Sequence, residues 1–381
     1  MRGFLRKLLL SALALGALAA LAYLSRRKIH LGDFTWSRFS HAVSQANVWL
    51  LLISIFAVYG AYALRTLRWQ RLSRYLGPSG FVDVYGATVM GFASIFILGR
   101  AGEPVRPLIL ARKTRQPVAG MFGVWVLERI TDFGAAVALA ALSLLVFAEK
   151  LADAGLNTEW VENARAGGWL LLAMLAGVVI LMLYFRLHGA GVLERLLHYW
   201  QGARGFKGWL AAIISGFSEG LQAIRTWSDL LITVVYTCAH WVLVTLAYLW
   251  IARAFAGDFV QSDVTVPGAM LLLAITLVGS VFQLPGVGGG AQVLSFFALT
   301  TIFGVEQEPA AAIAIVLWLI TFASSTLVGV PLLIHEGLSM GELRNLARAE
   351  AAAEKAGEHV SFTRVGGHGS RDQSARGGSS G

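Results

Sequence analysis

The chain has 381 residues, 56% of them hydrophobic and only 14% charged, with a formal net charge of +9. Soluble domains carry about 25% charged residues, and soluble helices need polar faces that these long apolar runs lack; together these exclude an ordinary soluble protein. The basic excess collects in short loops with no nucleic-acid motif beside it, which argues against a nucleic-acid partner and fits a positive-inside bias and contact with an anionic lipid surface. Cys238 is the one cysteine, so no internal disulfide is available, and the eight histidines follow no metal-binding spacing. No metal or cofactor is expected.

Taken in chain order, apolar segments fall near residues 8–24, 48–64, 81–98, 118–147, 168–185, 229–250, 267–284, 291–303 and 310–334. This predicts an all-α polytopic membrane protein with about 7–9 hydrophobic segments. Segment 8–24 has basic residues before it and Ala17-Leu18-Ala19 within it, as a cleavable signal would, but Arg26, Arg27 and Lys28 follow at once. A retained first helix is the preferred reading. Loops 65–80 (Arg65, Arg68, Arg71, Arg74), 99–117 (Arg100, Arg106, Arg112, Lys113, Arg115) and 186–207 are basic and read as cytoplasmic; 148–167, 251–266 and 304–309 read as external. Arg26, Arg27, Lys28 and Arg38 break this pattern.

Loops 65–80 and 99–117 thus lie on one side, so segment 81–98 is expected to dip into the membrane and return. Gly86, Gly91 and Ser94 interrupt it and Gly99 ends it. The same logic makes 267–303 a dip from the opposite side, with "LPGVGGGAQ" at its centre. Broken backbone is tolerated at such depth where protein buries it or where it lines a cavity. The two dips read alike: "ASIFILGRAG" (93–102) matches "GSVFQLPGVG" (279–288), and "VLERITDF" (126–133) matches "VLWLITFA" (316–323). Two matches in one order suggest an inverted repeat with halves about 8–147 and 168–334, an architecture of secondary transporters.

Charge inside the apolar segments points to a site. Glu128 and Asp132 are four residues apart and share a helix face, with Arg129 turned about 100° from them. A helix entering near Val118 carries Glu128 roughly 15 Å deep, near the middle of a roughly 30 Å core. Charges there are costly and mark function unless they are a structural clamp. "GRAGEPVRPLIL" (99–110) places Arg100 and Arg106 at a Gly/Pro-rich break, where planar guanidinium groups match phosphate oxygens and Glu103 can hold an arginine while the site is empty. Arg112, Lys113 and Arg115 read as topology signals. His240, alone in an apolar run, reads as a packing or hydrogen-bonding residue. The glycine run near 288 is no nucleotide-binding loop, because no Gly-Lys-Ser/Thr follows it; it reads as close helix packing or a pliable mouth.

The combination of "GEPVR", "ERITD" and the late "LPGVGGG" resembles the lysylphosphatidylglycerol synthase transmembrane family, which includes the flippase half of the bacterial multiple peptide resistance factor. The resemblance spans roughly residues 8–335 and implies a transmembrane flippase-like domain over 1–335. It carries over Gly102, Glu103, Arg106, Glu128, Arg129 and Asp132 as headgroup-binding or transport residues beside Arg100. Pro285 and Gly286, with Gly288 and Gly289, become a hinge or re-entrant loop. Two departures stand out. Gln292 occupies a place where members often carry Glu, and no aminoacyl-transferase stretch follows residue 335, so lipid aminoacylation is not implied.

The expectation is therefore a multi-pass lipid flippase or transporter of the bacterial inner membrane, with cytoplasmic termini, moving an anionic phospholipid or lipid-linked intermediate. Two alternatives are an integral membrane lipid-modifying enzyme using the paired carboxylates and a scaffold of a lipid or hopanoid biosynthesis complex. Homo-oligomers and lipid-biosynthesis enzymes are the partner classes left open. Residues 206–225 read as an interfacial amphipathic helix and 336–381 as a charged, then Gly/Ser-rich tail.

Overall fold

The structure, a computed structural model, describes residues 34–153, 158–188, 224, 226–255, 264–281, 283, 284 and 288–336. The expected first helix, most of the amphipathic segment 206–225, Pro285, Gly286 and the tail beyond 336 lie outside the described residues.

The described chain is helical. In order it forms α1 (Trp36–Ser44), α2 (Val48–Ser73), α3 (Phe81–Leu98), a 3-10 turn (Gly99–Gly102), α4 (Val105–Thr114), α5 (Val118–Asp153), α6 (Thr158–His188), α7 (Trp227–Ala254) and α8 (Val266–Gly279). Two-residue strands β1 (Gln283–Leu284) and β2 (Gly288–Gly289) follow, then α9 (Gly290–Thr301), α10 (Gln307–Trp318), a π turn (Leu319–Ala323) and α11 (Ser324–His335). Among the described residues, five helical runs are long and apolar enough to cross a membrane: α2, α3, Gly120–Val146 within α5, α7, and Gln307–His335. At 1.5 Å per residue, the 14-residue α8 rises only about 21 Å and the 12-residue α9 about 18 Å, short of a roughly 30 Å core.

Local chemistry fixes where the elements begin and end. Asn47 caps α2 by accepting from the backbone N–H groups of Trp49 and Leu50. Thr226 and Asp229 form a capping box at the start of α7. Gly99 stops α3 in a backbone conformation (φ 64°) that costs side-chain-bearing residues. Gly289, at φ 134°, does the same before α9.

The expected boundary after the second segment is wrong. In place of a loop beginning at residue 65, α2 runs on through Ser73, so Arg65, Arg68 and Arg71 are helical. Arginine is a good helix former, and two of these side chains find carboxylates inside the protein. Loop 99–117 likewise contains the helix α4, and segment 267–284 is helical only as far as Gly279.

Helices α2 and α7 pack antiparallel. The Asn47 N–H donates to the Ala254 carbonyl (2.7 Å), and Arg68 donates to the Thr237 hydroxyl (2.8 Å) further along. One core gathers around this pair with α8 and α10, including Tyr62, Tyr248, Leu272 and Ile313. A second fills the space between α2, α3, α4 and α5, with Trp69, Met90, Leu110 and Leu127. The candidate site lies at the edge of this second core.

Candidate functional site: a buried arginine–carboxylate cluster

Glu128 and Asp132 lie one turn apart on α5, and both are buried. Two arginines of α2 face them. Arg65 Nη2 donates to Asp132 Oδ2 at 2.8 Å. Arg68 Nη2 donates to Asp132 Oδ1 at 2.7 Å and to Glu128 Oε1 at 3.1 Å. Arg106, from α4, sends Nη1 to both Glu128 oxygens at 3.0 Å. Arg129 comes within 3.6 Å of Glu128 and 3.7 Å of Asp132. Three separate helices thus converge on one pair of carboxylates.

Arg106 and Arg65 are held by more than charge. The Arg106 guanidinium lies 4.4 Å from the centre of the Trp69 ring, and that of Arg65 lies 5.2 Å from the Phe92 ring. His240 Nδ1 is 3.1 Å from the Ala61 carbonyl, which can only accept, so Nδ1 carries the proton. Nε2 then accepts from Arg65 Nη2 at 3.3 Å. His240 is therefore a neutral positioning residue for Arg65, in line with its sequence reading.

Close packing at the break makes room for Arg106. A Cβ on Gly91 would meet the Arg106 Cβ at 2.8 Å, so only glycine lets the arginine stem cross α3 there. A Cβ on Gly102 would stand 2.2 Å from the Ser94 carbonyl oxygen, so the 3-10 turn can fold against α3 only with glycine at that place.

The cluster borders a narrow cleft lined by Gly91, Phe92, Ile95, Glu103, Arg106, Trp125 and Arg129. Glu103 is close enough to Arg129 to act on it electrostatically. The four arginines outnumber Glu128 and Asp132 by two positive charges, and Glu103 at the cleft lowers the excess to one. Arg106 keeps Nε and Nη2 buried without a hydrogen bond, while its Nη1 is committed to Glu128. The arrangement suits an anion that accepts from a guanidinium edge.

Of the residues singled out in the sequence, Glu103, Arg106, Glu128, Arg129 and Asp132 are neighbours around the cleft. Gly102 belongs to the turn that supports them, and Arg100 lies in that same turn. Gly288 and Gly289 form β2, pairing antiparallel with β1 at Leu284 and Gln283, and the Gly289 N–H donates to Gln292 Oε1. Arg65 and Arg68, expected in a basic loop, are instead helical and among the most central members of the cluster. Their spacing offered the missing signal. Ala61, Arg65, Arg68 and Leu72 recur at intervals of three and four on one helical face, and Ala61 and Leu72 are buried. A short basic patch lies beyond the cluster, where Lys113 donates to Glu336 (2.7 Å) and also faces Asp83. Burial works against the Lys113 ammonium, but its bond to Glu336 and the two carboxylates outweigh this and raise its pKa above the ordinary value.

These features define a polytopic helical membrane protein whose buried, net-positive ion cluster sits beside a helix break. The chain belongs to the family described as the lysylphosphatidylglycerol synthase TM region, whose profile matches residues 7–329. It is also 23% identical over 325 residues to a protein named UPF0104 membrane protein from Methanothermobacter thermautotrophicus, covering 79% of this chain and 89% of that one.

Proposed function

We propose that the protein is a lipid transporter of the bacterial inner membrane that carries an anionic phospholipid or lipid-linked intermediate, with the phosphate held in the cleft beside Arg106. The observation that carries this reading is the Arg106 edge. Nε and Nη2 are buried, make no hydrogen bond, and belong to a side chain that lines the cleft. A buried donor without an acceptor costs about 1–3 kcal/mol, and a phosphate oxygen at this place would recover that cost. The positive excess of the cluster favours the same occupant, and membership of a family named for a lipid-related membrane region agrees with it.

The enzyme alternative is less well supported. Glu128 and Asp132 each accept hydrogen bonds from two arginines, so their oxygens are committed to guanidinium groups of the protein and not presented to a substrate.

The test is lipid retention by the full-length protein after purification in mild detergent, read by native mass spectrometry. Singly charged phospholipids should be retained over phosphatidylcholine by at least about tenfold, about 1.4 kcal/mol. Equal retention of anionic and zwitterionic lipids would contradict the proposal.

A further inference from the structure

The nine-residue helix α1 (Trp36–Ser44) rises only about 14 Å, too little to cross a roughly 30 Å core. At about 100° per residue, Trp36, Phe39, Ala42 and Val43 fall on one side of it, and Ser37, His41 and Ser44 fall on the other. The apolar side is divided. Ala42 is buried and Phe39 packs on the core around α2 and α7, whereas Val43 is exposed and Trp36 is 76% exposed. The Trp36 ring is held in that outward position. It meets Phe34 edge-on with ring centres 5.4 Å apart and Phe39 at 5.8 Å. On the polar side Ser37, His41 and Ser44 are all exposed, and the Ser44 hydroxyl donates to the His41 carbonyl.

Three membrane-spanning helices fix the level at which α1 lies. Asn47, between α1 and α2, donates its N–H to the carbonyl of Ala254, the last residue of α7. Thr35, just before α1, donates through its N–H and its hydroxyl to Glu308 Oε1 at 3.1 and 3.2 Å, in the first turn of α10. The start of α2, the end of α7 and the start of α10 therefore meet at one end of the bundle, and α1 packs on α10 there. The membrane boundary passes near these three helix ends. The exposed apolar edge of α1 also continues onto the outer side of α2, where Trp49 is 75% exposed in the first helical turn and Leu52, Ile53 and Phe56 follow it.

We infer that α1 lies in the plane of the membrane surface and that its partner is the lipid boundary itself, with Trp36 and Val43 set at the junction of headgroups and acyl chains and Ser37, His41 and Ser44 turned to water. A helix with an apolar edge and a polar far side settles at that depth. Tryptophan suits the place because its rings are apolar and its N–H is polar. Deeper in the acyl layer the polar side would lose its water, and clear of the membrane the fixed indole edge would stand uncovered. Its ties to Ala254 and Glu308 make α1 a brace that holds the ends of α7 and α10 at the surface.

The test places a polarity-sensitive fluorophore on single cysteines of the full-length protein in phosphatidylcholine vesicles. The background carries Cys238→Ser, because Cys238 is exposed. Labels at Trp36→Cys and at Ser37→Cys are compared with two quenchers, phosphatidylcholine brominated high on its acyl chains and iodide in the water. The label at 36 should be quenched by the brominated lipid at least about threefold more than the label at 37, and iodide should show the reverse order. If Trp36→Cys does not accumulate, Val43→Cys, on the same edge and outside the aromatic trio, carries the comparison. Equal quenching of the two sites by either reagent overturns the surface placement. A label at 36 or 43 that neither reagent reaches also overturns it, because protein, from this chain or from a second copy, then covers the edge.

Discussion

Glu128 accepts from Arg68 and Arg106, lies within 3.5 Å of Arg65 and is fully buried. Truncating it to alanine strands those guanidinium groups in the protein interior, and breaking a buried pair costs about 3–5 kcal/mol. Glu128→Ala should therefore lower the thermal midpoint of the purified protein markedly as well as abolish transport; an unchanged midpoint would mean that Glu128 is hydrated. Arg68 and Asp132 are joined at 2.7 Å. Removing both should cost less than the sum of the two single truncations, with a coupling of about 0.5–3 kcal/mol in a double-mutant cycle. Additive effects would place the two side chains in separate environments. The carboxylate half of the cluster was legible in the sequence because acids in an apolar run stand out. Arg65 and Arg68 were not, because they fall where a hydrophobic segment gives way to a basic stretch, and only the three-dimensional path of α2 carries them back over α5.

At the scale of elements, the break after α3 depends on close backbone approach. The Cβ of Gly102→Ala would stand 2.2 Å from the Ser94 oxygen, whereas a Cβ on Gly177 of α6 meets nothing within 4 Å. Gly102→Ala should accumulate poorly or melt early. Gly177→Ala should be neutral or stabilising by up to about 1 kcal/mol, the helix propensity difference. Equal behaviour of the two would mean that the turn is not packed against α3. The dip proposed for α3 is a separate matter, because its 18 residues, about 27 Å, are also long enough to cross. Cysteines placed at Tyr75 and at Arg112 should react with an impermeant thiol reagent from one and the same side; labelling from opposite sides would make α3 a full span. Among the described residues, helix positions followed from hydropathy, and α3 spans the expected 81–98. Ends were harder to read. Polar residues that solvent would normally claim can extend a helix when the fold supplies partners, as Asp229 does for Arg71 at 2.7 Å.

For the whole molecule, buried charge is concentrated beside the helix break after α3, where helices α2, α4 and α5 meet. Headgroup binding as proposed depends on the Arg106 edge, and replacement by lysine isolates it. A lysine ammonium keeps the positive charge and has donors for Glu128, but it lacks the planar fork whose Nε and Nη2 are unoccupied in the cluster. The decisive measurement is headgroup translocation by the purified protein in reconstituted vesicles, with protein orientation checked separately. Arg106→Lys should insert and accumulate normally yet lose most of the transport, at least about tenfold, while Arg112→Lys, at an exposed position, transports as the unmodified protein does. Equal transport by Arg106→Lys and the unmodified protein would contradict the account.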